Sequence, residues 1–118
     1  QAVTRVNCVP VEELSDRHLV AEYRELPRVY ALSLNAIMRG ESVGTHGERY
    51  TLGAGHVRFF YSRVGFVRAR HRELIAEMRR RGFTVNFPKV PPRGLWPRAW
   101  LRGWKPDTEA LTINRARI

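Results

Sequence analysis

The sequence of 118 residues is poor in the features on which several common functions depend. Cys8 is the only cysteine, which excludes an internal disulfide and a cysteine-based zinc site. No apolar run approaches the roughly 20 residues of a membrane-spanning helix, and no signal peptide is evident. We therefore expect a cytoplasmic protein that does not insert into membranes.

Metal-binding and nucleotide-binding motifs are also missing. The sequence has no P-loop, no nucleophile elbow and no motif that pairs two carboxylates. The histidines do not sit at metal-ligand spacing near carboxylates; they are His18, His46, His56 and His71. We expect neither a metal nor another cofactor.

Lysine is scarce, although the chain is strongly basic. The formal charge is +10, and only Lys89 and Lys105 of the 21 basic residues are lysines. Arginine binds phosphate bidentately and stacks on bases, so the composition favours a nucleic-acid partner and salt-sensitive affinity. The alternative explanation of the arginine excess is the codon composition of a GC-rich genome, acting on an ordinary basic protein. A membrane surface is less favoured, because no helix has the interfacial pattern.

The length and the apolar content predict a folded protein. Hydrophobic residues make up 43% of the chain and 12 residues are aromatic, which is enough for one core. We expect a single domain over residues 1–118, present as a monomer, and nucleoid-associated if the source is bacterial.

The segment 14–39 has the period of a helix with one buried face. Its apolar positions are Leu19, Tyr23, Leu26, Tyr30, Leu34 and Ile37. The opposite face carries Arg17, Arg24, Arg28 and Arg39. His18 and Glu25 lie between the two faces. Such a helix suits a polyanion, although a solvated face and a surface ion pair of Glu25 are the plainer alternatives.

The ends of this helix are also predictable. Ser15 or Asp16 is a suitable N-cap, and Gly40 suits the position after the C-terminus. The apolar pattern continues in phase past Pro27, so we predict one helix with a kink rather than two helices.

The rest of the chain predicts two further helices joined by long loops. A second helix should run from about 56 to 81, with a buried face formed by Phe60, Val64, Val67, His71, Leu74 or Ile75, and Met78. A third should begin near Glu109, after a proline-rich crossing over 83–106. The tryptophans of that crossing are Trp96, Trp100 and Trp104, and we expect them to pack on the core. The predicted fold class is all-α.

Four segments resemble one known family. They are TRVN at 4–7, HLVAEYRELPRVY at 18–30, LGAGHVRFFY at 52–61 and ELIAEMRRRGF at 73–83. Together they resemble phage endonuclease V, of the pyrimidine dimer DNA glycosylase family, which also has abasic-site lyase activity. The likeness runs in order from Thr4 almost to Ile118.

The resemblance implies a compact three-helix enzyme that needs no metal and acts on double-stranded DNA with ultraviolet lesions. Thr4 matches the nucleophile, whose α-amine attacks the sugar C1′ and forms an imine, and Glu25 matches the essential carboxylate. Positions that contact DNA or line the site match Arg5, His18, Arg24, Arg28 and Arg117. Arg17 stands where the phage enzyme carries glutamine.

One departure from the family concerns the nucleophile. Gln1, Ala2 and Val3 precede Thr4, so the Thr4 nitrogen is an amide in the chain as written. The resemblance leaves two alternatives to cleavage at pyrimidine dimers: an enzyme of the same fold that acts on another lesion, and a non-catalytic nucleic-acid-binding module.

Overall fold

The structure is a computed structural model that describes residues 4–118. Over this range the chain forms helices and no strand, which confirms the predicted all-α fold. The α-helices are α1 (Asp16–Glu25), α2 (Arg28–Met38), α3 (His56–Phe59), α4 (Val64–Arg80) and α5 (Thr108–Arg115). Single 3-10 turns lie at Val11–Glu13, Val43–Thr45, Arg93–Leu95 and Arg98–Trp100.

The prediction of one kinked helix across 14–39 was wrong, because Leu26 and Pro27 separate α1 from α2. Both residues keep right-handed helical dihedral angles. The hydrogen bonds nevertheless become those of a 3-10 turn, as the Val29 nitrogen donates to the Leu26 carbonyl at 2.9 Å. A 3-10 turn advances by more degrees per residue than an α-helix, so the buried face of α2 is rotated from its predicted position.

This rotation explains which residues of α2 are buried. Leu34 and Ile37 were predicted to be in the core, and both are only half-buried. The buried face of α2 consists of Val29, Tyr30, Ser33 and Ala36. The predicted exposure of Arg17, Arg24, Arg28 and Arg39 is confirmed.

Two predicted helix ends are confirmed. The Ser15 hydroxyl accepts a hydrogen bond from the His18 nitrogen at 3.2 Å and caps α1. Gly40 follows α2 with a φ of 82°, in the left-handed region that glycine adopts without strain.

The second predicted helix is divided into α3 and α4 at residues 60–63. Its predicted buried face is correct: Phe60, Val64, Val67, His71, Leu74, Ile75 and Met78 are all buried. The interpretation of His71 as a hydrogen-bonded core residue is confirmed, since its Nδ1 lies 3.0 Å from the Tyr30 hydroxyl. α4 packs on α1 and α2 and forms the centre of the molecule.

The tryptophans pack on the core, as predicted. Trp96 and Trp100 are buried, and the Trp96 indole N–H donates to the Ser33 hydroxyl at 3.1 Å. Trp104 is half-buried and stacks on Tyr50 with a ring-centroid distance of 5.5 Å. Among residues 4–118, no helix is long and apolar enough to cross a membrane.

Candidate functional site

A polar cleft of about 230 Å³ lies between α1 and the segment that precedes it, residues 4–10, which we call the amino-terminal arm. The arm contributes Arg5 and Asn7, and α1 contributes His18, Ala21, Glu22 and Glu25. These four positions of α1 follow a spacing of three and four residues, so they share one face of the helix. We call this the Glu25 cleft.

Thr4 and Glu25, the two predicted catalytic residues, are in contact. The Thr4 hydroxyl donates to Glu25 Oε1 at 3.4 Å, and Thr4 is buried. Arg28 Nη1 lies 3.4 Å from the same oxygen, with about half of its side chain exposed. The ion pair therefore exists, but it is long and partly solvated, and such pairs contribute little to stability. Gln1, Ala2 and Val3 lie outside the described residues.

The other predicted site residues are distributed around this cleft. Arg5 and His18 line it, and Arg28 lies beside Glu25. Arg17 is exposed on α1, and Arg24 lines a neighbouring, mainly apolar cleft of about 400 Å³. Arg117 is exposed in the turn after α5 and is not among the residues that line either cleft.

Four buried polar side chains behind the cleft form a connected set that the sequence did not reveal. Arg70 of α4 donates from Nε and Nη2 to the two oxygens of Glu22, at 2.8 and 3.0 Å. Asn7 Nδ2 donates to Glu22 Oε1 at 2.8 Å, and Asn114 Nδ2 of α5 donates to Asn7 Oδ1 at 2.7 Å. We call Asn7, Glu22, Arg70 and Asn114 the Glu22 network.

The Glu22 network also fixes the backbone of the arm. Asn114 Oδ1 accepts hydrogen bonds from the nitrogens of Cys8 and Val9, at 2.6 and 3.1 Å. Arg70 Nη1 donates to the Val9 carbonyl. Three helices that are distant in sequence thus hold the segment that carries Thr4.

His56 and Tyr50 hold the arm at Val6, closer to Thr4. The Val6 nitrogen donates to His56 Nε2 at 2.9 Å, and the Tyr50 hydroxyl donates to the Val6 carbonyl at 3.0 Å. His56 Nδ1 in turn donates to the Thr51 carbonyl at 2.8 Å. This arrangement requires a neutral ring with its hydrogen on Nδ1. Burial lowers the pKa of His56, with a smaller contribution from the charge of Arg5, and so favours the neutral form.

Sequence reasoning missed the Glu22 network for an identifiable reason. Asn7 and Glu22 lie within the quoted family motifs, but Asn7 and Asn114 are separated by 107 positions. Arg70 was one arginine among eight in its segment, with nothing in the pattern to mark it as buried. Within residues 4–118, no group of three or more histidine, cysteine or carboxylate side chains could hold a metal ion.

These features define a class of protein: a basic helical protein with a small polar cleft lined by two carboxylates and an arginine, one carboxylate of which accepts a hydrogen bond from a threonine hydroxyl. The family model of the pyrimidine dimer DNA glycosylases matches residues 3–90, well over half of the chain. The chain belongs to the pyrimidine dimer DNA glycosylase family, and the family implies a DNA substrate that carries pyrimidine dimers. The predicted resemblance is confirmed at this level. The match includes the arm, α1 to α4 and every side chain that lines the Glu25 cleft.

Proposed function

We propose that this protein is a DNA glycosylase with a coupled abasic-site lyase activity on cyclobutane pyrimidine dimers in duplex DNA. The observation that supports this function best is the contact between Thr4 and Glu25 at 3.4 Å, in a cleft lined by Arg5 and His18. A Thr4 residue that lies against a carboxylate, beside a cleft that also contains an arginine, suits attack by the Thr4 amine on a sugar between two phosphates.

The nucleophile in this mechanism is the α-amine of Thr4. An α-amine has a reference pKa of about 8, against about 10.4 for lysine, so much more of it is neutral at pH 7. Its lone pair attacks C1′, the bond from C1′ to the base breaks, and the base leaves with the electron pair. Loss of a proton from nitrogen and opening of the sugar ring give an imine. Removal of a C2′ proton then expels the 3′ phosphate, and water hydrolyses the imine to regenerate the amine.

Glu25 stabilises the positive charge that develops on the sugar during these steps. The departing base leaves positive charge on the sugar, which a carboxylate stabilises, and the same carboxylate assists removal of the C2′ proton. Arg5 and His18 face the reacting nucleotide. Arg17, Arg24 and Arg28 bind the DNA backbone from the exposed face of α1 and the start of α2. Arg117 contributes a further DNA contact from the end of α5.

The mechanism requires a free amine at Thr4. With Gln1, Ala2 and Val3 attached, that nitrogen is an amide whose lone pair is delocalised, and it cannot form an imine. We therefore propose that the active form begins at Thr4, after removal of the residues that precede it.

Borohydride trapping tests this function directly, because borohydride reduces an imine to a stable covalent bond. A chain that begins at Thr4 should form a covalent complex with dimer-containing duplex, and a chain that begins at Gln1 should not. Glu25→Gln should still bind the duplex and lose nicking, whereas Glu73→Gln, an exposed carboxylate on α4, serves as the matched control. Absence of the adduct from the chain that begins at Thr4 refutes the mechanism.

A further inference from the structure

The Glu22 network contains a second carboxylate in the Glu25 cleft that the proposed reaction does not use. Glu22 and Glu25 line the cleft one helical turn apart on α1. Both Glu22 oxygens accept hydrogen bonds from Arg70, and Oε1 also accepts from Asn7. Glu22 is therefore occupied by protein partners, whereas the Glu25 side chain is 27% exposed and open to a substrate.

We propose that Glu22 and its network are positioning residues, which hold the Thr4 amine against Glu25 and balance the charge beside it. This inference rests on the proposed function, because it concerns the amine of that reaction. The side chains of Arg70 and Glu22 are 3% and 1% exposed, so the pair is fully removed from water. Apolar residues of similar volume would fill this space without the cost of desolvating two charges. Stability alone therefore does not account for an ion pair here.

The positional part of the proposal follows from the hydrogen bonds of the arm. Asn114 and Arg70 fix the backbone at Cys8 and Val9, and Asn7 is fixed through its side chain. An amine at the end of a loose arm would sample many directions, and a nucleophile displaced by about 1 Å loses on the order of 100-fold in rate. Loss of the Asn114 amide removes three of these bonds without changing any charge.

The electrostatic part follows from the charged and titratable groups around the Glu25 cleft and the amino-terminal arm. The arm contributes Arg5 and α1 contributes His18, Glu22 and Glu25. Arg28 of α2 and Arg70 of α4 add two further charges. The other titratable groups against the arm are His56 and Tyr50, which are both hydrogen-bonded to Val6. Without the charge of Arg70, Glu22 is an unbalanced carboxylate, which raises the pKa of a nearby amine. Without the charge of Glu22, Arg70 is unbalanced and lowers the pKa of that amine. Removal of the Arg70 charge and removal of the Glu22 charge should therefore shift the pKa of the amine in opposite directions.

The experiment measures the trapping rate as a function of pH, with a chain that begins at Thr4 and a duplex that contains one abasic site. Arg70→Met should move the midpoint of the pH profile upward by about one unit, which lowers the rate at neutral pH by about tenfold. Glu22→Gln should move the midpoint downward. Arg70→Lys, which keeps the charge, should restore it.

Asn114→Ala isolates the positional role. It should lower the trapping rate at every pH by about tenfold or more and leave the midpoint and the duplex affinity unchanged. Arg115→Met is the matched control, because Arg115 forms an exposed ion pair with Glu13 outside the cleft. It should change neither the trapping rate nor the midpoint of the pH profile.

The possible results separate this proposal from the proposed function. A midpoint that stays unchanged in both Glu22→Gln and Arg70→Met, with native helical content in the circular dichroism spectrum, refutes the electrostatic role. An unchanged plateau rate in Asn114→Ala refutes the positional role. If Arg70→Met does not fold, Glu22→Gln and Arg70→Lys decide the electrostatic role. Failure of the unsubstituted chain to trap any duplex overturns the proposed function itself, and this proposal with it.

Discussion

Gly65→Ala should destabilise the protein, although alanine is the better helix former. Gly65 lies in the first turn of α4 with an ordinary negative φ, so alanine is permitted by the backbone. A Cβ at this position would clash with the Leu101 carbonyl oxygen and lie 2.8 Å from that of Arg102. Both contacts are with backbone, which a change of rotamer cannot relieve. The Phe66 nitrogen also donates to the Arg102 carbonyl at 3.2 Å, so the two segments are held together.

The two contributions can be compared. Replacement of glycine by alanine in a helix gains up to about 1 kcal/mol, whereas forced overpacking costs about 1–3 kcal/mol and occasionally more. We expect a net loss of about 1–2 kcal/mol in the free energy of unfolding, measured by urea denaturation followed at the helical circular dichroism band.

Gly103→Ala is the matched control for this prediction. A Cβ at Gly103 would meet nothing within 4 Å, and the φ of Gly103 is not positive. Gly103→Ala should therefore leave the free energy of unfolding unchanged or raise it slightly. A stability of Gly65→Ala equal to or above that of the unsubstituted protein would refute the reasoning, because the close approach of the 101–102 backbone would then not constrain the site.

Three further predictions concern binding, pH and reactivity. Arg28→Gln should reduce the slope of log K against log salt for duplex DNA by about 0.9, the effect of one lost phosphate contact. Arg115→Gln should leave this slope unchanged, because the Arg115 guanidinium is neutralised by Glu13 at 2.9 Å, a closer pair than that of Arg28 and Glu25 at 3.4 Å. Burial lowers the pKa of His56, so the folded state stays neutral while the unfolded chain takes up a proton below about pH 6.5. The contribution of His56 to the free energy of unfolding should therefore decrease as the pH falls from about 6.5 to 5 and stay constant above 6.5. A free energy of unfolding that rises as the pH falls over that interval, measured by urea denaturation, would contradict a neutral His56 in the folded state. Burial raises the pKa of Cys8 to about 11, so a thiol reagent at neutral pH should label it only after denaturant is added, and rapid labelling of the native protein would show that the arm opens.

The local features of the fold were readable because they depend on neighbours in sequence. The cap at Ser15, the end at Gly40 and the apolar face of the segment 60–78 follow from residues within one or two turns of each other. The break at Pro27 was misread because an apolar pattern that continues in phase is compatible with a kink and with two helices. The 3-10 hydrogen bond from the Val29 nitrogen to the Leu26 carbonyl shows that the chain forms two helices.

The candidate site was only partly predictable. The sequence placed His18, Glu25 and the exposed arginines on α1 correctly, because their spacing fixes the helix face on which each lies. The contact between Thr4 and Glu25 joins positions 21 apart, and only the family resemblance had selected both residues as catalytic. No spacing rule relates an extended arm to a helix that follows a turn.

The sequence by itself determined the all-α class and the basic composition, whereas the reacting groups, Thr4 and Glu25, stay a prediction from the motif. What the tertiary structure decided was the role of each charge. Arg17 and Arg70 are the same residue type, each within a helix that the sequence predicts, yet one is exposed and the other is buried on Glu22, 48 positions away. The physical reason is that the burial of a charge depends on a partner that neutralises it, and only the folded chain brings that partner within hydrogen-bonding distance.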